Sequence, residues 1–81
     1  MEIPTFTIET KDDIQKYIGW ATENNLLLYP DDSYLWILEF ADDENPSCIT
    51  LEQATYLDQV VAKCFDVCEQ LKLDIYKLWN W

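Results

Sequence analysis

The sequence contains no histidine and no arginine, and its only basic side chains are five lysines. Without histidine the chain lacks the commonest general base and every nucleophile that histidine activates. Without arginine it lacks the bidentate clamp that holds phosphate and carboxylate substrates. A single glycine also leaves no glycine-rich loop for a phosphate. These absences predict that the protein is not an enzyme and that it binds no cofactor.

Positive charge is scarce, because sixteen acidic residues face the five lysines and the formal net charge is −11. Proteins that bind a nucleic-acid backbone need clustered basic side chains to displace counterions, and an anionic membrane attracts polybasic segments. We therefore expect no direct nucleic-acid binding and no membrane association. The charge instead favours a protein partner with a basic surface, unless it serves only to keep a small protein soluble.

Cysteine is also sparse, and the three residues Cys48, Cys64 and Cys68 do not complete a zinc site in a chain without histidine. The contiguous acids of residues 42–44 lack the alternating ligands and the glycine of a calcium loop. We therefore expect no metal site. No secretory signal pattern and no long apolar run occur, which favours the cytoplasm. At 81 residues we expect one compact domain, 1–81, and homo-oligomer formation stays open.

The first third of the sequence predicts a strand followed by a helix. Residues 5–9 alternate, with Phe6 and Ile8 on one face, which is typical of a short half-buried strand. Thr10 offers a hydroxyl N-cap with two aspartates in the turn that follows. The predicted helix runs to about residue 23, because the asparagine pair at 24–25 tolerates the left-handed conformation of a helix end.

The middle of the sequence predicts a hairpin. Residues 26–29 form a continuous apolar run, and residues 34–41 alternate in the manner of a strand. Between them, residues 30–33 combine proline, two aspartates and serine, which is type I turn chemistry. The acidic stretch at residues 41–47 then reads first as a soluble turn.

A long helix is predicted after Thr50, which begins a capping box with Gln53. Its apolar residues recur every three or four positions, and Cys64 and Cys68 belong to this stripe, where free cysteine behaves as a small apolar side chain. Residues 73–79 read either as a last strand or as more helix. The predicted fold is a small α+β two-layer sandwich, an antiparallel sheet of three or four strands with two helices on one face, in a β-α-β-β-α-β order if the last strand forms.

Two groups of side chains are candidates for a protein interface. Acids in the predicted turns and on the polar side of the long helix, where Glu52 also lies, could form one extended negative surface. Two tryptophans at the end of the sequence either dock against the body or form an apolar anchor, since tryptophan is frequent among interface hot spots. The candidates are Asp31, Asp32, Asp42, Asp43, Glu44, Asp58, Asp66 and Glu69, with Trp79 and Trp81.

Such an acidic surface can match and block the basic groove of a nucleic-acid-binding protein. In size and charge alone the chain resembles small phage and bacterial inhibitors, including anti-CRISPR proteins and nucleic-acid mimics that inhibit DNA-processing enzymes, and no motif assigns it to one family. The leading hypothesis is therefore a non-enzymatic acidic module for protein–protein interaction, acting as an inhibitor of this kind. The alternative is a small accessory or assembly subunit that docks through its C-terminal aromatics and a sheet edge.

Overall fold

A computed structural model of the protein describes residues 2–26 and 37–79. These residues form α1 (Lys11–Glu23), a 3₁₀ turn (Ile37–Phe40), α2 (Leu51–Leu71) and α3 (Ile75–Trp79). No strand occurs within the described ranges. The predicted α+β two-layer sandwich with an antiparallel sheet of three or four strands is therefore wrong, and so is its β-α-β-β-α-β variant.

Helix α1 begins and ends where the sequence predicts. The Thr10 hydroxyl accepts a hydrogen bond from the Asp13 amide at 3.2 Å, and the Asp13 carboxylate accepts one from the Thr10 amide at 3.0 Å. At the other end Asn25 adopts φ 57°, and the amide of Leu26 donates to the carbonyl of Ala21 at 2.8 Å. This left-handed ending satisfies carbonyls that the helix itself leaves unpaired.

Helix α2 uses the same two devices. Thr50 and Gln53 form a reciprocal capping box, with side chain to backbone distances of 3.1 and 2.9 Å. The helix ends before Lys72, which adopts φ 57°, and the Leu73 amide donates to the carbonyl of Cys68 at 2.8 Å. The predicted N-terminus of the helix is confirmed, while its end at Leu71 decides a point that the sequence left open.

Of the two readings of residues 73–79, the strand does not form, and Ile75–Trp79 are helical as a separate short helix, α3. The Asp74 carboxylate accepts a hydrogen bond from the Tyr76 amide at 3.0 Å, and its carbonyl accepts one from the Lys77 amide at 3.1 Å. Asp74 therefore starts a new helix immediately after the left-handed turn. Ile75 and Trp79, four residues apart, then share one face and are both buried.

Residues 5–9 do not form a strand. Their alternation nevertheless places Phe6 and Ile8 toward the core, as the sequence predicts. Ile8 is buried, and the ring of Phe6 meets that of Tyr17 edge to face, with 5.2 Å between the ring centroids. The amide of Phe6 donates to Tyr56 Oη at 2.8 Å. The segment is therefore held by aromatic side chains of α1 and a hydroxyl of α2, which replace the neighbouring strand that the alternation suggested.

The predicted second strand of the hairpin is also wrong where the structure describes it. Residues 37–40 form the 3₁₀ turn, whose Ile37 is fully buried and which packs against α2. The rest of the predicted hairpin, from residue 27 to residue 36, lies outside the described residues, and so do Asp31 and Asp32.

A single apolar core joins all of these elements. Helix α2 contacts both the 3₁₀ turn and α3, and α3 also contacts α1. Cys64 and Cys68 lie in this core, as predicted, with 0% and 3% of their surface exposed. The largest fully buried side chains are Trp79, Tyr17, Ile14, Ile37, Ile49, Leu57, Val61 and Cys64.

Replacing Tyr56 with phenylalanine tests how the N-terminal segment is attached. Tyr56→Phe keeps the ring but leaves the partly buried amide of Phe6 without its acceptor. We expect the free energy of unfolding to fall by about 1 kcal/mol, as is usual for the loss of one such hydrogen bond. Urea unfolding should show a lower midpoint with an unchanged slope. An unchanged midpoint would mean that this hydrogen bond does not hold the segment.

Candidate functional site

The acidic stretch at residues 41–47 forms a loop that is supported by its own side chains. The Asp42 carboxylate accepts a hydrogen bond from the Glu44 amide at 3.1 Å, and the Asn45 side chain accepts one from the Ser47 amide at 2.9 Å. The Asp42 amide also donates to the carbonyl of Ile49 at 2.9 Å, which closes the loop at its base. Asp42 is thus part of the turn while remaining exposed to solvent.

Asp43 connects this loop to α2. Its Oδ1 accepts a hydrogen bond at 2.8 Å from the amide of Leu51, the first residue of the helix. The first amides of a helix have no partner within the helix, and the positive end of the helix dipole favours a nearby carboxylate. Asp43 therefore acts as a second cap for α2, beside the capping box at Thr50. The spacing of eight residues between donor and acceptor gives no local sequence signal for this contact.

The outward side of α2 carries fewer acids than the sequence suggested. Glu52, Asp66 and Glu69 are exposed, and Lys63 is exposed between them. At 1.5 Å per residue, Glu52 and Asp66 lie about 21 Å apart along the helix axis. On the loop and α2, the exposed acids therefore fall into two groups: the loop with the first turn of α2, and the last turns of α2.

Asp58 does not share this exposed position. It is half-buried, and within the described part of the chain its Oδ1 is shielded from solvent with no hydrogen-bond partner. Burial raises the pKa of the Asp58 carboxyl above its usual range. Burial is also the main reason why the pKa of Tyr17 is raised, with Cys64 and Asp58 adding to the effect. Asp58 thus lies at the edge of the core, because the flank of α2 is covered by other elements.

The two candidate tryptophans are placed differently. Trp79 is only 1% exposed, and its ring centroid lies 6.1 Å from that of Tyr17 in α1. It therefore packs into the core and offers no surface to a partner in this conformation. Trp81 lies outside the described residues.

A shallow groove lies between the acidic loop and the first half of α2. Leu51, the first residue of the helix, is 54% exposed on this side. A second shallow groove adjoins it through Glu52 and Tyr56, and is bounded by residues 3–5 on its far side. We call the first one the Tyr56 groove, and its lining residues are Asp43, Leu51, Glu52, Thr55, Tyr56 and Gln59.

The Tyr56 groove has no counterpart among the features that the sequence predicts. Glu52 was placed among the outward acids, but Leu51 and Tyr56 carried no signal beyond their positions on a predicted helix. Their exposure depends on which neighbouring segments pack beside α2, and this is a tertiary property. The exposed apolar side chain at the first helical position is the one local feature that sets this place apart.

Chemical reactivity is low in the described part of the chain. No group of three or more histidine, cysteine or acidic side chains that could hold a metal ion occurs within residues 2–26 and 37–79. Burial, followed by the neighbouring Cys68, raises the pKa of the Cys64 thiol to about 12, so this thiol stays protonated at neutral pH. The described helices also include none that is both long and apolar enough to span a membrane.

Replacing Asp43 with alanine tests its role as a cap. We expect Asp43→Ala to lower the free energy of unfolding by about 1 kcal/mol, the usual effect of losing a capping side chain. Glu44→Ala is the matched control, because Glu44 is adjacent and exposed and its carboxylate shows no hydrogen bond within the described residues. The control should stay within about 0.5 kcal/mol of the wild type. Equal effects of the two changes on the chemical unfolding midpoint would contradict the capping role.

Replacing Asp58 with asparagine should make the protein more stable at neutral pH. Because burial raises the folded-state pKa above the usual value of 3.8, the ionised carboxylate destabilises the fold. The advantage of Asp58→Asn should therefore shrink as the pH is lowered, because the folded-state carboxyl gains its proton at a pH above 3.8, and the advantage should be lost once the pH falls below 3.8. Unfolding midpoints measured between pH 3.5 and 7.5 check this, with exposed Asp66→Asn as the control. A variant less stable than the wild type at pH 7 would show that the Asp58 carboxylate has an unrecognised partner.

The chain was compared with protein-family models, with curated proteins and with solved structures, and no significant match was found in any of the three. The arrangement of its own side chains is therefore the basis for a functional proposal. That arrangement consists of exposed carboxylates in two groups, a groove with apolar and acidic walls, and a buried set of cysteines and aromatics.

Proposed function

We propose that the protein is a non-enzymatic module that binds a partner protein with a basic surface. The observation that carries the proposal is the exposure of acids around the loop and along α2, on elements whose positions are determined by capping hydrogen bonds. In its sharper form, the proposal is an inhibitor that occupies the basic surface of a nucleic-acid-binding protein. The exposed acids of the loop and α2 that form this surface are Asp42, Asp43, Glu44, Glu52, Asp66 and Glu69.

Electrostatics supports the choice of partner. A net charge of −11 on 81 residues produces a negative potential that repels nucleic acid and acidic surfaces and accelerates encounter with basic ones. Exposed charges act mainly on the rate of association, and their effect is screened beyond about 8 Å at physiological salt. The proposed complex should therefore form more slowly as the salt concentration rises.

The spacing of the acids favours discrete contacts over complete imitation of a duplex. B-DNA carries one charge per about 1.7 Å of its axis, which is roughly twelve charges over the 21 Å that separate Glu52 from Asp66. The outward side of α2 carries far fewer, and Lys63 lies between these two acids. A partner with two separate basic patches fits this surface better than one that needs a continuous negative strip.

The alternative of an accessory subunit has no support in the described residues. Docking through a sheet edge requires a strand, and none occurs in residues 2–26 or 37–79. Docking through Trp79 would require this side chain to leave the core, where it packs on Tyr17. The acidic surface is therefore the better starting point for an experiment.

Two charge-neutralising variants test the proposal. One carries Asp42→Asn and Glu44→Gln in the loop, the other Asp66→Asn and Glu69→Gln at the end of α2, and Asp43 stays unchanged because it caps the helix. Wild type and variants are used to capture partners from cells of the source organism. Candidate partners are then purified, and their association rates are measured at low and high salt. We expect both variants to associate more slowly, with a weaker dependence on salt.

The control carries Glu2→Gln and Glu23→Gln, which remove the same charge from exposed positions outside this surface. It should bind nearly as fast as the wild type. Equal slowing by all three variants would show that only total charge matters. Normal binding by both surface variants would contradict the proposal. The negative charge would then serve only to keep the protein soluble.

A further inference from the structure

We propose that the Tyr56 groove binds an arginine side chain of the partner, together with an apolar residue beside it. This inference rests on the proposed function, because it specifies the chemistry of the partner at one place on the acidic surface. The groove combines two carboxylates, a partly exposed aromatic ring and an exposed leucine, and none of the five lysines of the chain lines it.

Charge complementarity selects a cationic occupant. Asp43 and Glu52 supply two negative charges to the groove, while the start of α2 supplies about half a positive charge from the helix dipole. The hydrogen bond from the Leu51 amide to Asp43 reduces that positive end further, because it pairs one of the exposed amides. The groove therefore stays negative although it lies at a helix start, and Glu52 is the carboxylate left to pair with a cation.

The aromatic and apolar lining selects arginine over lysine. A guanidinium group is planar, pairs with a carboxylate through two parallel hydrogen bonds and packs on aromatic faces, whereas an ammonium group is compact and strongly hydrated. The ring of Tyr56 is held in place, because its Oη accepts the hydrogen bond from the Phe6 amide. Because the ring is held beside the Glu52 carboxylate on the same helix, a guanidinium group can pack on the ring and pair with the carboxylate without first ordering this part of the surface.

Leu51 extends the site beyond a single charge. Its side chain is 54% exposed at the edge of the groove, where it can be covered by an apolar side chain that precedes or follows the arginine. Burial of such apolar surface is favourable and, unlike an ion pair, is not screened by salt. The predicted occupant is thus a short segment of the partner in which arginine is next to an apolar residue.

Nuclear magnetic resonance titration with defined peptides tests this inference. The isotope-labelled protein is titrated with three peptides of equal length and charge, built from repeats of Arg-Leu, Lys-Leu and Arg-Ser. We expect the Arg-Leu peptide to bind most tightly, and the largest amide shifts to fall on Leu51, Glu52, Thr55 and Gln59. Shifts spread evenly over all exposed acids, equal binding of the three peptides, or no binding would overturn the proposal.

Matched variants separate the groove from general electrostatics. Glu52→Gln should weaken binding of the Arg-Leu peptide by about two- to fivefold, the value of a partly exposed charge pair. Glu23→Gln removes the same charge from the last turn of α1, outside the groove, and should leave the affinity nearly unchanged. Leu51→Ala should weaken the Arg-Leu peptide and not the Arg-Ser peptide.

Equal weakening by Glu52→Gln and Glu23→Gln would overturn the groove while leaving the proposed function intact, because a diffuse acidic surface could still capture a basic protein. The reverse result is also possible to recognise: the charge-neutralised variants bind the partner protein normally, while the Arg-Leu peptide still binds specifically in the groove. The groove would then be a binding site for basic peptides, and the proposal that the two exposed acidic groups bind a partner protein would be wrong. The two experiments therefore fail independently.

Discussion

The apolar stripe of α2 is the surface on which the rest of the described structure depends. Ala54, Leu57, Val61 and Cys64 are completely buried along it, and both the 3₁₀ turn and α3 pack against this helix. The buried apolar residues of ranges 2–26 and 37–79 form one cluster, and a domain of this size is sensitive to any weakening of its core. The position of this single helix therefore decides where the loop, the N-terminal segment and the exposed acids lie.

Part of the large negative charge has a structural role at helix starts. Asp13 completes the capping box of α1, Asp43 accepts the first amide of α2, and Asp74 accepts an amide at the start of α3. A carboxylate near a helix N-terminus is stabilising because the unpaired amides and the helix dipole both favour it. The acids outside these positions, such as Glu44 and Glu69, are the ones whose charge is left for a partner.

The Tyr56 groove lies where the acidic loop meets the first half of α2, next to the N-terminal segment. Asp43 brings the acidic loop to the helix, and Tyr56 binds the N-terminal segment through the Phe6 amide. Each of these contacts uses a polar group that also faces the groove region, so the same side chains that determine the fold shape the proposed binding site. The stability of these attachments and the ability to bind are therefore expected to be linked.

The sequence by itself determined the features that depend on residues within one or two helical turns. The helix starts at Thr10 and Thr50, the end of α1 and the burial of the cysteine pair could be predicted from spacing, because their partners are three to five residues away. Only the tertiary structure decided that the alternating residues 5–9 pack on helices and not in a sheet, and that Asp58 is half-buried. Alternation requires only that one face be covered, and it does not specify whether a strand or a helix covers it.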